Sequence, residues 1–155
     1  MFKPVVAGEQ EVVDPLPRGL LVHAKYLTGE MADGRVRVVI ADDHRLFAEA
    51  LEAILSTDGR IAVVGRAADG QAAVDLVRDQ QPDVVLMDIA MPVLDGIAAT
   101  RLIRAETPAT HVVVLTGSQA PQDISQARAA GAAGYVTKDQ IAGDLVRAIL
   151  DAASS

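Results

Sequence analysis

The chain has 155 residues, half of them hydrophobic, which is enough for one domain with an ordinary core. Its 21 acidic and 14 basic residues give a net charge of −7, and a surface of that sign repels nucleic-acid phosphates and anionic lipid, so we expect neither as a direct partner. With no cysteine and only 3% aromatic residues, the sequence excludes disulfides and thiolate metal sites and argues against a stacking platform for bases or flavin.

The character of the chain changes near Arg35. The segment before it contains prolines and scattered charges, whereas short β-branched runs alternate with stretches of helical period after it. We therefore expect residues 1–34 to be a flexible or non-native extension and residues 35–155 to be one domain. No apolar run reaches the roughly 18 residues that a membrane span needs, and no signal-peptide stretch follows Met1, so the sequence predicts a cytoplasmic protein.

Five short strands, each followed by a helix, are predicted after Arg35. Runs rich in Val, Ile and Leu predict strands at 36–40, 61–64, 84–87, 111–115 and 134–137. The first helix is predicted to bury one face, formed by Phe47, Ala50, Leu51, Ile54 and Leu55. Further helices are predicted at 70–80 with Asp69 as N-cap, at 96–104, from Pro121, and at 142–152 with a stripe of Ala142, Leu145, Val146 and Ile149.

Strict alternation of strands and helices predicts an α/β fold with a doubly wound parallel sheet, because right-handed crossovers place helices on both faces. In such sheets, polar chemistry collects outside the carboxyl ends of the strands. Four of the predicted strands end in polar groups, namely Asp42 with Asp43, Asp88, Thr116 and Lys138.

Each of these polar residues alone has an ordinary explanation as a solvated loop residue or a helix cap. Three carboxylates that converge in one crevice repel one another, however, and a hard divalent ion relieves that repulsion. Mg²⁺ prefers oxygen ligands and is typically held by one or two carboxylates together with a phosphate oxygen. Lys138 is the only lysine between Arg35 and Ser155, beside ten arginines, and its compact ammonium suits a single oxygen. The set points to phosphoryl chemistry.

Four motifs resemble those of the receiver domains of bacterial two-component response regulators, in particular the NarL/FixJ type. They are Val39-Ile40-Ala41-Asp42-Asp43-His44, Val84-Val85-Leu86-Met87-Asp88-Ile89-Ala90-Met91-Pro92, Val113-Val114-Leu115-Thr116-Gly117 and Gly134-Tyr135-Val136-Thr137-Lys138-Asp139. The resemblance implies a flavodoxin-like (CheY-like) sheet of five strands in the order 2-1-3-4-5, with five helices.

The resemblance also implies a role for each of the three aspartates at the strand ends. Asp88 would accept a phosphoryl group from the phosphohistidine of a sensor histidine kinase. Asp43 and Asp88 would ligate Mg²⁺ (or Mn²⁺) directly, Asp42 would do so through water, and the backbone carbonyl of Ala90 would complete the protein ligands. Such a domain is a signalling phosphoacceptor that catalyses only its own phosphorylation and dephosphorylation, rather than an enzyme.

Three further residues would bind the phosphoryl group or couple it to the output. Lys138 would contact one phosphoryl oxygen, and Thr116 would donate its hydroxyl to another. As Thr116 moves, Tyr135 would turn into the space it leaves and reshape the neighbouring surface, which is a phosphorylation switch. Because Ala90 and Gly117 are small, we expect water to reach the acyl phosphate and hydrolyse it readily.

The resemblance implies protein partners and a role in transcription. Regulators of the NarL/FixJ type usually continue into a helix-turn-helix domain, whereas this sequence stops at Ser155, just after the last predicted helix. A stand-alone receiver that signals through a separate protein and a receiver excised from a transcription factor both remain open. Phosphorylation-dependent dimerisation is a further expectation.

Three other functions share part of this pattern. A haloacid-dehalogenase-like phosphatase also uses a strand-end aspartate with Mg²⁺, but it needs a second acid two residues on, where Ala90 stands. A flavodoxin-like FMN carrier needs a phosphate loop and aromatics that the sequence lacks. A constitutive interaction module would keep the fold without phosphorylation, although every acceptor residue is present.

Two further sequence features concern residues 1–34 and the histidines. Leu20, Ala24, Leu27 and Met31 share a helical spacing, and Met31 lies where receivers commonly begin, so translation could start there. The three histidines, His23, His44 and His111, belong to unrelated contexts, and we expect no zinc site from them.

Overall fold

The computed structural model describes residues 34–117 and 120–155. Strands and helices alternate along these residues, as the sequence predicts. The strands are β1 (Val36–Ala41), β2 (Ile61–Ala67), β3 (Val84–Asp88), β4 (His111–Thr116) and β5 (Gly134–Thr137). The α-helices are α1 (Arg45–Ser56), α2 (Gly70–Gln80), α3 (Gly96–Glu106), α4 (Pro121–Ala129) and α5 (Ile141–Ala153), and a 3-10 helix (Lys138–Gln140) precedes α5. The helical spacing before Met31 and the proposed start at Met31 lie outside the described residues.

The five strands are parallel and lie in the order β2-β1-β3-β4-β5, which confirms the predicted topology. Successive residues of a strand point to opposite faces of the sheet, so each strand contributes to two apolar layers. One layer joins the sheet to α2, α3 and α4, and the other joins it to α1 and α5. Because both faces are covered, β1, β3 and β4 are almost wholly buried.

The buried stripes of two helices differ from the predicted ones. In α1 the buried residues are Ala48, Leu51 and Leu55, whereas Ile54 is 40% exposed and Ala50 is exposed, so the prediction was wrong for those two positions. In α5 the predicted Ala142 is exposed, and the stripe consists of Ile141, Leu145, Ile149 and Ala152. Leu51, Leu55, Leu145 and Ile149 are buried as predicted. The neighbouring positions differ because the apolar sequence is wide enough to allow more than one face.

Strand β2 runs three residues beyond its predicted end at Val64. Val38 pairs with Val63 and Val39 pairs with Gly65, so Val64 is the extra residue of a β-bulge. Gly65 fits this bend because a Cβ there would lie 2.9 Å from a methyl carbon of Leu76. A glycine that appears to end the strand in the sequence therefore lies inside it.

Helix boundaries follow local hydrogen-bonding chemistry. Asp69 is the N-cap of α2, as predicted, and its carboxylate accepts the N–H of Ala72 at 2.7 Å. Pro121 opens α4, where its missing N–H costs nothing. None of the described helices is long and apolar enough to cross a membrane.

The amino edge of the sheet is held by a buried arginine. Arg37, 5% exposed, donates from its guanidinium to the carbonyls of Gln80 at 2.7 Å and Gln81 at 3.2 Å, at the carboxyl end of α2. Its backbone N–H donates to the carboxylate of Asp83 at 2.8 Å, just before β3. A cation at this end of a helix satisfies the last carbonyls and complements the helix dipole. The polar residues predicted for the site lie at the opposite, carboxyl edge of the sheet.

Candidate functional site

Three carboxylates meet at the carboxyl edge of the sheet. Asp42 and Asp43 directly follow β1, and Asp88 is the last residue of β3, the neighbouring strand. The Asp42 side chain is fully buried, that of Asp88 is 6% exposed and that of Asp43 is 32% exposed. Together with His44 they form a group whose ligand atoms all lie within 4.8 Å of one another. The residues that strand topology predicts to converge do so.

Lys138 reaches this group from the end of β5, the edge strand of the sheet. It begins the 3-10 helix that follows β5, and its Nζ lies 3.3 Å from Asp88 Oδ1 and 3.4 Å from Asp42 Oδ2. Its side chain is 26% exposed, so the ammonium lies at the mouth of the site. One cation thus faces three carboxylates, which leaves excess negative charge in a buried position.

Two residues contact the site in ways that the sequence pattern does not predict. His44 donates its backbone N–H to Asp42 Oδ1 at 2.8 Å, and its Nδ1 lies 3.4 Å from carboxylate oxygens of both Asp42 and Asp43. The ring of Phe47 faces Lys138, with Nζ 4.6 Å from the ring centroid. The three histidines are far apart in the sequence, whereas the structural neighbours of His44 are carboxylates. Helical spacing predicts Phe47 as a core residue, and the signal for another role is the scarcity of aromatic residues in the sequence.

The loop after β3 holds Asp88 in place through close backbone contacts. Gly96 donates its N–H to the carbonyl of Ile89 at 2.8 Å, and a Cβ at Gly96 would lie 2.0 Å from the carbonyl oxygen of Asp88. Asp95 caps α3 by accepting the N–H of Ala98 at 2.9 Å. Within this loop Val93 has a φ of 69°, a left-handed conformation that is uncommon for a β-branched residue. Glycine is therefore required at position 96 by the close approach of the start of α3 to the end of β3.

The electrostatics of Asp88 follow from its surroundings. Burial raises the pKa of Asp88, and the negative charge of Asp42 raises it further. The ammonium of Lys138 and the backbone N–H of Ala90 oppose this rise without cancelling it. Since the donors are mainly carboxylate oxygens with an unmatched negative charge, they fit a hard divalent cation such as Mg²⁺ or Mn²⁺.

The remaining predicted residues lie on the two strands beside the site. Thr116 is the buried last residue of β4 and pairs in register with Thr137, the residue before Lys138. Tyr135, on β5, is 41% exposed and borders a surface cavity of about 260 Å³ beside α4. Ala90 is exposed, two residues beyond Asp88. Thr116 and Tyr135 thus lie on neighbouring strands at the same edge of the sheet as the carboxylates.

Comparisons with known proteins agree with this geometry. Residues 38–150 match the family model described as the response regulator receiver domain. A probable transcriptional regulatory protein NarL of Mycobacterium tuberculosis is 40% identical over 119 residues, which cover 77% of this chain and 55% of that protein. The solved structure of the signal receiver domain of the putative response regulator NarL from M. tuberculosis superposes with a TM-score of 0.75 at 40% identity, covering 78% of this chain and 98% of that one.

The similarity also extends to a protein of another kind. A protein-glutamate methylesterase/protein-glutamine glutaminase of Haloarcula marismortui is 43% identical over 109 residues, which cover 70% of this chain and 29% of that protein. The matched part is therefore shared by a transcriptional regulatory protein and a protein-glutamate methylesterase/protein-glutamine glutaminase. The chain spans about half the length of the transcriptional regulators that it matches.

Proposed function

The chain belongs to the response regulator receiver family, and from that premise we propose that Asp88 is its phosphoacceptor. The supporting observation is the position of Asp88, a buried strand-end carboxylate 3.3 Å from Lys138 Nζ and grouped with Asp42 and Asp43. Family membership favours the receiver over the phosphatase and the flavin carrier. The chemistry is transfer of a phosphoryl group from a phosphohistidine.

The transfer is a displacement at phosphorus. A carboxylate oxygen of Asp88 forms a bond to the phosphorus atom while the phosphorus–nitrogen bond to the donor imidazole breaks, leaving an acyl phosphate on Asp88 and a histidine on the kinase. Lys138 exchanges its contact with Asp88 Oδ1 for a phosphoryl oxygen, and Thr116 donates its hydroxyl to another. Such transfer depends on position and charge neutralisation, which these groups supply.

A divalent cation completes the charge balance. Asp43 and Asp88 would hold Mg²⁺ or Mn²⁺ directly, Asp42 through water, and Ala90 through its backbone carbonyl. The ion, when bound, neutralises phosphoryl charge and orients the oxygens. Burial, and after it the negative charge of Asp42, raise the pKa of Asp88, and a bound cation would favour the ionised form of this carboxylate.

The acyl phosphate would act through Thr116 and Tyr135 on the surface formed by α4 and its neighbours. Movement of Thr116 toward the phosphoryl group would allow Tyr135 to turn inward from its exposed position. Helix α4 suits such a change because Ala127 is its one buried residue, so little apolar area holds it in place.

The partners follow from the same assignment. A sensor histidine kinase would supply the phosphoryl group, and a fused output domain or a separate protein would respond, with regulation of transcription as the result. We also propose residues 35–155 as the receiver unit, a homodimer as its phosphorylated form, and no direct contact of this unit with nucleic acid. Its own catalysis would be limited to gaining and losing the phosphoryl group.

Acetyl phosphate provides a direct test. The chain is incubated with acetyl phosphate with and without Mg²⁺, and its intact mass is measured. We expect the mass of one phosphoryl group to be added only with Mg²⁺, and not to Asp88→Asn. Asp79→Asn, which changes an exposed aspartate on α2, is the matched control and should react like the native chain. Equal modification of the Asp88→Asn chain would refute the assignment.

A further inference from the structure

Phe47 lies on the lysine of the site in a way that the family assignment does not explain. Its ring centroid is 4.6 Å from Lys138 Nζ, within the range of a cation–π interaction. Phe47 lies in the first turn of α1, half-buried at the margin of the apolar layer that contains α1 and α5. The described residues contain only two aromatic side chains, Phe47 and Tyr135, and both lie at this edge of the sheet.

Resting on the proposed function, we propose that Phe47 is a positioning residue that holds the ammonium of Lys138 at the mouth of the site. Lys138 has a flexible four-carbon stem and is 26% exposed, so without a third contact it can swing into solvent. The carboxylates attract it from the inside of the site, and the ring attracts it from one side. Phe47 therefore limits where Nζ can lie.

An aromatic face suits this task better than another anion. During phosphorylation, Lys138 must leave Asp88 Oδ1 and bind a phosphoryl oxygen. A further carboxylate would compete with that oxygen for the ammonium and add to the charge that the site must already neutralise. The ring attracts the cation through its quadrupole, leaves the N–H donors free to turn, and adds no net charge. The contact with Phe47 can thus persist while the anionic partner of Lys138 changes.

The test compares ring-bearing and ring-free residues at position 47. Phe47→Leu keeps an apolar side chain without the ring, whereas Phe47→Tyr and Phe47→Trp keep it. With acetyl phosphate and Mg²⁺, we expect Phe47→Leu to be phosphorylated about fivefold more slowly than the native chain. We expect the Tyr and Trp variants to lie within about twofold of it. Ile54→Ala, which removes a partly exposed apolar side chain from the same helix, is the control and should leave the rate unchanged.

Two readouts separate positioning from packing. The Mg²⁺ affinity of Phe47→Leu, measured by calorimetry, should match that of the native chain, because the substitution leaves unchanged the carboxylates that would hold the ion. Phe47→Leu should also have no further effect in a Lys138→Met background, since no cation remains to be held. Equal losses with and without Lys138, or no rescue by Tyr and Trp, would overturn the proposal.

A spectroscopic measurement gives an answer that does not depend on phosphorylation. The chain has three lysines, so the ε-methylene signal of Lys138 in ¹³C-lysine-labelled protein can be assigned by its loss in Lys138→Met. A ring face beside Nζ should shift this signal upfield in the native, Tyr and Trp chains, and Leu should remove the shift. An unshifted signal in the native chain would refute the positioning role alone, whereas an unphosphorylated native chain would refute the proposed function.

Discussion

Replacing Gly96 by alanine should damage both the fold and the proposed phosphoacceptor site. A Cβ on this residue would lie 2.0 Å from the carbonyl oxygen of Asp88 and 2.9 Å from the Cα of Ile89. Ordinary contact begins near 3.4 Å, so the start of α3 and the end of β3 must separate by about 1.4 Å. Both neighbours are backbone atoms, which cannot rotate away as a flexible side chain can.

The magnitude follows from this separation. Overpacking in a well-filled interior typically costs 1–3 kcal/mol, and a clash with backbone on both elements should cost about 3 kcal/mol. For a domain of about 120 residues, that loss lowers the midpoint of thermal unfolding by about 12 °C. Because Asp88 shifts with its strand end, phosphorylation of the folded molecules should slow by about 100-fold, as a misplacement of about 1 Å can produce.

A matched glycine on the same chain makes the assay decisive. Gly143 lies on the exposed side of α5, and a Cβ there would meet nothing within 4 Å. Gly143→Ala should therefore stabilise the chain by about 0.5–1 kcal/mol through helix propensity. Thermal unfolding followed by circular dichroism, together with the rate of mass gain from acetyl phosphate, measures both effects. Two alanine variants with the same midpoint and the same rate would refute the steric argument.

Three other predictions concern the charge, the exposure and the anchoring of the site. Asp88→Asn should raise the unfolding midpoint at neutral pH in metal-free buffer, because burial and Asp42 raise the pKa of Asp88 and its ionised form therefore costs stability there. This advantage should be full above the raised pKa of Asp88 and should shrink as the pH falls through it, and a destabilised Asn variant would contradict the prediction. Enlarging Ala90 to methionine together with Gly117 to valine should lengthen the life of the acyl phosphate by shielding it from water, measured as the decay of phosphorylated mass; an unchanged decay would count against open access. Arg37→Met should cost about 2 kcal/mol in urea unfolding, since it removes the buried guanidinium that donates to the carbonyls of Gln80 and Gln81, while phosphorylation by acetyl phosphate stays at the native rate.

The strands were predictable because their physical signals are local, whereas their order was implied by the resemblance of four motifs to the receiver family. Continuous apolar runs such as Val84–Met87 indicate strands buried on both faces, and Asp69 before a helical period indicates an N-cap. Alternation of strands and helices then restricts the sheet to a few parallel arrangements. The carboxylates of Asp42, Asp43 and Asp88 could be grouped for that reason, since parallel strands end at one edge.

Other features depend on contacts that the sequence pattern does not encode. Several apolar faces of α1 were available, and the packing of the sheet selects the one with Ala48 instead of Ala50. The bulge at Val64 depends on pairing with β1, which the sequence pattern does not show. The pattern therefore predicts that the strand ends before Gly65. The contact of Phe47 with Lys138 joins residues 91 positions apart, and a half-buried aromatic has the same pattern as a core residue.

Arg37 ties the amino edge of the sheet through contacts that involve none of the residues proposed to bind the phosphoryl group. We therefore expect these contacts to be the same with and without a phosphoryl group on Asp88. Substitutions at the carboxyl edge should therefore change the charge of the proposed site, or the lifetime of its phosphorylated state, without altering the scaffold at the amino edge.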